Sequence, residues 1–133
     1  MKSRTITHAR RLSIAAAILF LSTFYAACNG DVEREASMLT GGDPVKGRTA
    51  IRTYGCDSCH TIPGVRGATS LVGPPLNRMA DRGYIGGVLP NTPENMIRWI
   101  QDPQGVDHLT AMPNVGVTDS DARDIAGYLY TLR

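Results

Sequence analysis

The chain has 133 residues, 14 of them basic and 12 acidic, with 42% hydrophobic and only 6% aromatic residues. Four of the basic residues (Lys2, Arg4, Arg10 and Arg11) precede Cys28, so the remainder carries 10 basic and 12 acidic residues, a net charge of about −2. The basic balance therefore belongs to the N-terminus and is no footprint of nucleic-acid binding, and the length leaves room for one small domain with a thin core.

Residues 1 to 11 contain no acidic residue, and Leu12 to Ala27 form an apolar run of 16 residues broken only by Ser13, Ser22 and Thr23. A basic start followed by an apolar core of this length predicts a secretory signal over residues 1–27. It is short for a bilayer-spanning helix, which needs about 20 residues. Arg10-Arg11 matches twin-arginine export poorly. Tyr25-Ala26-Ala27-Cys28 resembles the bacterial lipoprotein box, with Tyr25 where an aliphatic residue is usual. Lipidation of Cys28 is the favoured expectation; an intermolecular disulfide or an uncleaved anchor are the alternatives. Residues 28–42 are polar, carry Asp31, Glu33 and Glu35, end in Gly41-Gly42, and read as a flexible tether. The domain then occupies 43–133.

Within it, Asp43-Pro44 is a helix start, an N-cap acceptor followed by Pro at the first helical position. Gly47, Ala50, Ile51 and Tyr54 follow on one face. Residues 61–76, rich in Gly and Pro, read as loop, with a short helical piece over 76–82. Asn91-Thr92-Pro93-Glu94 starts a helix bearing Met96, Ile97, Trp99 and Ile100, which Asp102-Pro103 stops. Thr118-Asp119-Ser120-Asp121 resembles a capping box with Asp in the Glu position. Ala122, Ile125, Ala126, Leu129 and Leu132 then mark the buried face of a C-terminal helix. No run alternates with period two, so the predicted class is all-α.

Between the first helix and the loop stands Cys56-Asp57-Ser58-Cys59-His60. Two thiols at this spacing, followed by His, read as a c-type haem attachment site: Cys56 and Cys59 as thioether partners, His60 as the proximal axial ligand. A zinc site needs two more ligands, and the only downstream His is His108, with no Cys beyond Cys59. A thioredoxin-like dithiol is expected beside a βαβ pattern, which is missing. For the second axial position, Met38 lies in the tether, and Met79 and Met96 suit core filling. His108 reads as a solvated loop histidine. Met112, in the irregular segment Thr110-Ala111-Met112-Pro113-Asn114 and stiffened by Pro113, is the preferred ligand.

Cys56 to His60, Gly73-Pro74-Pro75-Leu76, Ala111-Met112-Pro113 and a final helix carrying Gly127-Tyr128-Leu129-Tyr130 together resemble a class I cytochrome c from about Asp43 to Arg133. More narrowly, Tyr54-Gly55-Cys56 through Pro63-Gly64 and Leu89-Pro90-Asn91-Thr92-Pro93-Glu94-Asn95 are similar to small bacterial cytochromes that accompany, or are fused to, haem–copper oxidases. The resemblance implies one covalent haem c, with helices and loops wrapped around it. Pro74 would offer its carbonyl to Nδ1–H of His60. Tyr84, Trp99, Arg78 and Arg82 become candidates for the haem propionates. Gly47 and Tyr54 would meet Gly127 and Tyr128, or its neighbours, where the first and last helices cross. The implied function is single-electron transport, not catalysis, on the outer face of a bacterial membrane or in the periplasm. Electrons would come from a quinol-oxidising complex or another cytochrome and pass to a terminal oxidase, with the chain a free carrier or a permanent oxidase subunit. Lys46 is the only lysine after the leader, so a lysine-rich docking ring is absent. The competing expectation is a haem enzyme or gas-binding sensor with an open sixth coordination position.

Overall fold

The computed structural model describes residues 30–133; the predicted signal and Cys28 lie outside the described residues. Residues 33–133 cluster as one compact unit. Among the described residues no helix is long and apolar enough to cross a membrane.

Residues 30–40 are helical (α1), where the sequence suggested a flexible tether. Ala36 and Thr40, four residues apart on one face, are buried at 1% and 2% exposure. Glu35 pairs with Arg133 at the other end of the chain. Acidic residues early in a helix suit its dipole, and a face built from one Ala and one Thr carries almost no hydrophobic periodicity. That is why composition pointed to a tether. Gly41, at φ 70°, closes α1 in the left-handed conformation that glycine adopts without penalty.

Asp43 caps α2 (Pro44–Thr53) by accepting from the N–H groups of Val45 and Lys46. Thr92 caps α3 (Pro93–Gln101) by accepting from Asn95 N–H. Both helices begin with Pro, as predicted. Asp102 ends α3 but also caps a further short helix, α4 (Pro103–Val106), which the Asp-Pro stop signal had hidden. The last helix, α5 (Asp119–Tyr130), starts at Thr118, whose hydroxyl accepts from Asp121 N–H. The other half of the predicted capping box is reassigned: Thr118 N–H points to Tyr54 Oη at 3.5 Å, and that phenol donates to Asp121 Oδ2 at 2.7 Å.

Helices dominate, and the strand pairing is a two-residue antiparallel ribbon, β1 (Tyr84–Ile85) with β2 (Leu89–Pro90), plus an isolated bridge between Thr61 and Thr69. Gly86 and Gly87, both at positive φ, make its turn. A Gly-Gly pair between short apolar runs is a hairpin signal that the search for long alternation passed over. The helical piece expected over 76–82 is a 3₁₀ turn at Met79–Asp81.

The core is organised by α5 crossing α1 and α2. An added Cβ on Gly42 would fall 2.2 Å from the Arg123 carbonyl oxygen, and one on Gly47 1.9 Å from that of Asp124. The expected helix crossing is present but offset: Gly47 meets Asp124 and Ile125, Tyr54 meets Asp121, and Gly127 faces Thr40 and Pro44. Tyr128 instead donates to the Pro63 carbonyl at 2.6 Å, pinning the loop after His60. Ile51, Ile62, Met96 and Ile125 are the largest apolar side chains with almost no exposure.

Tyr130 donates to Asn91 Oδ1 at 2.8 Å, and Asn91 in turn donates to the carbonyls of Met79 and Arg82. Burial, with Glu94 adding to it, pushes the Tyr130 phenol up to about 12. An unfolded tyrosine titrates near about 10. The unfolded chain therefore loses this proton first, and stability falls as pH rises from about 10 towards 12. Thermal melts at increasing alkaline pH should show this decline, and a Tyr130→Phe variant should show less of it.

Candidate cofactor-binding site

One cavity of about 420 Å³ opens beside α2, α3, α5 and the loops between them. That volume falls within the range of roughly 300–1,000 Å³ typical of cofactor and ligand sites. Cys56, Cys59 and His60 lie on its lining, together with Met112. Cys56–Ser58 form a 3₁₀ turn that starts from Gly55 at φ 71°, and the N–H groups of Cys59 and His60 both donate to the Cys56 carbonyl. This tight turn keeps both thiols and the imidazole at one cavity.

His60 is fixed in two ways. Its Nδ1 lies 2.7 Å from the Pro74 carbonyl oxygen, which can only accept, so Nδ1 donates there and Nε2 is the nitrogen free of that bond. Gly73 packs against the ring: an added Cβ there would lie 2.4 Å from His60 Cε1. The Gly73 N–H also donates to the Cys59 carbonyl at 2.7 Å, tying the loop to the motif.

Both cysteines are free of disulfide bonding. Burial is the largest influence on Cys56 and pushes its thiol pKa up, the reverse of the depressed values that mark reactive redox dithiols. Among the described residues no group of three or more His, Cys, Asp or Glu side chains could hold a metal ion, so the zinc alternative finds no further ligands.

The other predicted site residues divide. Pro74, Arg82, Tyr84 and Trp99 line the cavity. Arg82 Nη2 donates to the Asn77 carbonyl at 2.8 Å and to that of Pro75, bracing the loop beside the cavity. Tyr84 is 64% exposed, at the rim. Arg78 does not line the cavity; its guanidinium pairs with Asp81 at 3.1 Å. Its backbone sits at φ 53°, a conformation that the sequence did not signal. Met79 and Met96, assigned to the core, are buried and also contribute to the cavity wall. His108 is exposed and away from the lining.

Two features escaped sequence reasoning. An added Cβ on Gly86 would lie 2.6 Å from the Trp99 ring, so the ribbon's turn lies against that indole. Two of the segments flanking the cavity are also uncharged. Residues 67–77 and 109–118, which supply Val72, Gly73, Pro74 and Leu76 on one side and Thr110 to Pro113, Val115 and Val117 on the other, contain no Asp, Glu, Lys or Arg. Leu71, Val72 and Leu109 are 76–82% exposed there.

The chain is similar to a cytochrome c oxidase subunit 2. That protein, from Alkalihalophilus pseudofirmus, is 30% identical over 89 residues, which cover 66% of this chain. The chain spans only 25% of the length of that relative. No protein-family model and no solved structure matches the chain.

The donor set fits a covalently held haem. The lining is largely apolar, two thiols stand at the spacing of thioether attachment, and an imidazole is held with one nitrogen committed to a carbonyl. A methionine lines the same cavity from an independent segment.

Proposed function

We propose that this chain is a mono-haem c-type cytochrome that carries single electrons in a membrane-associated respiratory chain. The observation that supports it best is the convergence on one cavity of Cys56, Cys59, a His60 oriented by Pro74, and Met112. Cys56 and Cys59 would hold the haem by thioethers, and His60 and Met112 would serve as its axial ligands. When bound, such a haem takes up and releases one electron at its iron.

The protein's own contribution is binding, orientation and exclusion of water. Hydrogen bonding to Pro74 fixes the orientation of the His60 ring. The apolar walls, Ile51, Met79, Met96, Ile100 and Leu129, would pack against the haem and limit the access of water. Arg82, Tyr84 and Trp99, which line the cavity, would receive the propionates; Arg78, paired with Asp81, would not.

Similarity to an oxidase subunit supports a haem–copper oxidase as electron acceptor, with a quinol-oxidising complex or another cytochrome as donor. The uncharged segments around the cavity suit short-lived apolar contacts of modest area. Lipidation at Cys28 would place the domain at the outer face of the membrane.

The decisive experiment is an optical spectrum of the oxidised holoprotein, followed by carbon monoxide addition to the reduced form. A weak far-red sulfur-to-iron band and no carbon monoxide shift are expected. A missing band with a prompt shift would replace the carrier with a ligand-binding or catalytic haem protein.

A further inference from the structure

Met112 lies in a segment with almost no regular main-chain bonding. Among the described residues, the main chain of 111–117 makes no hydrogen bond to another main-chain group. Side chains hold it instead. Thr110 Oγ1 accepts from Met112 N–H at 3.2 Å, and Asn114 Oδ1 accepts from Gly116 N–H at 3.0 Å. Asn114 Nδ2 reaches Asp102 Oδ1 only at 3.5 Å. These contacts shape the segment locally or tie it to the start of α4; none joins it to the wall that carries His60.

That connection is made at the downstream end. Val117 is buried, and next to it Thr118 begins a three-residue cluster. Tyr54 Oη donates to Asp121 Oδ2 at 2.7 Å and faces Thr118 N–H at 3.5 Å. Thr118 Oγ1 donates to the same carboxylate oxygen at 2.9 Å and accepts from Asp121 N–H at 3.2 Å. Bonds from Tyr54 and Thr118 hold the Asp121 carboxyl below its ordinary range, so it is the ionised acceptor at neutral pH. Tyr54 is also the C-cap of α2 and is separated from Cys56 by Gly55 alone. Its hydroxyl therefore links the start of the Cys-x-x-Cys-His turn to the end of the Met112 segment, 64 residues later.

We propose that Tyr54, acting through Asp121 and Thr118, is a positioning residue that holds the Met112 segment against the His60 side of the cavity. This rests on the proposed axial role of Met112. A phenol–carboxylate bond is among the stronger hydrogen bonds available to a protein. Without it the segment keeps the Asn114–Asp102 contact, the buried Val117 and the Thr118 cap but loses its tie to the Cys56 turn, and Met112 yields its place more readily to a competing ligand.

The test is imidazole titration of the oxidised full-length holoprotein, followed through the far-red band, for wild type, Tyr54→Phe and Asp121→Asn. Tyr54→Phe keeps the ring and removes only the hydroxyl; Asp121→Asn keeps the cap's shape and removes the charge. Each should bind imidazole on the order of tenfold more tightly, the effect of one charge-assisted hydrogen bond. A Glu35→Gln control breaks the Arg133 pair on α1 and should leave imidazole affinity unchanged. Wild-type affinity in both variants, with the band intact, overturns the proposal. So does a gain matched by the Glu35→Gln control, because lowered stability alone would then explain it. A wild-type holoprotein that lacks the band overturns Met112 ligation itself, a separate failure. If Tyr54→Phe does not fold, Asp121→Asn decides between the same outcomes.

Discussion

A Gly47→Ala variant is expected to lose on the order of 3 kcal/mol of stability, the upper range for forcing extra volume into a packed contact. The added Cβ would lie 1.9 Å from the Asp124 carbonyl oxygen, 2.4 Å from its carbon and 2.9 Å from Ile125 N. All three are backbone atoms in the middle of α5, so no side chain can rotate away to make room. Helix α2 would have to move off α5, and α2 leads directly into Cys56. In an open helix the same change would stabilise by about 1 kcal/mol, because alanine is the better helix former. The sign of the effect therefore reports on the crossing. Urea denaturation and thermal melting of the holoprotein should show a melting temperature lower by roughly 15 °C. An unchanged or raised midpoint would mean that the two helices do not approach as described.

The second large effect concerns cofactor retention. A Cys56→Ser, Cys59→Ser double variant should release all of its haem on acid-acetone extraction, whereas the unaltered protein should keep one haem per chain. Each single variant should keep its haem through the remaining thioether, so the loss is strongly non-additive. Removing both links should also lower stability, since a cavity of about 420 Å³ with apolar walls would depend on a group held by axial ligation and packing alone. Mass spectrometry of intact protein and haem staining after denaturing electrophoresis measure this directly. Covalent haem surviving in the double variant would refute the assignment of the two thiols.

Local chemistry was legible along the chain wherever one or two neighbouring residues decide the outcome. Asp43-Pro44, Thr92-Pro93 and Thr118 each announced a helix start, because an N-cap acceptor and a proline with preset φ act on their own few residues. Elements whose stability comes from distant partners were hidden. Helix α1 buries only Ala36 and Thr40, and its contacts with α5 come from Gly127 and Arg123, more than 80 positions away. The Tyr84–Pro90 ribbon is too short to alternate. Helix α4 disappeared behind a proline that both stops one helix and starts the next.

The site divides along the same line. Cys56, Cys59 and His60 are adjacent, and their spacing alone states the chemistry they can perform; Met112 followed from its irregular segment beside Pro113, and Pro74, 14 residues from His60, from the resemblance. Side-chain direction was beyond reach: nothing in the sequence distinguishes Arg82, beside the cavity, from Arg78, turned outward to Asp81. Nor does it join Tyr54 to Asp121, 67 residues later. By itself the sequence determined which residues bring thiol, imidazole and thioether to the molecule, and where most of the helices begin, because these depend on residue type and short spacing. Only the tertiary structure decided that those groups face one apolar cavity, and which hydrogen bonds hold them there, because contacts between distant segments arise from packing and leave no periodic trace in the chain.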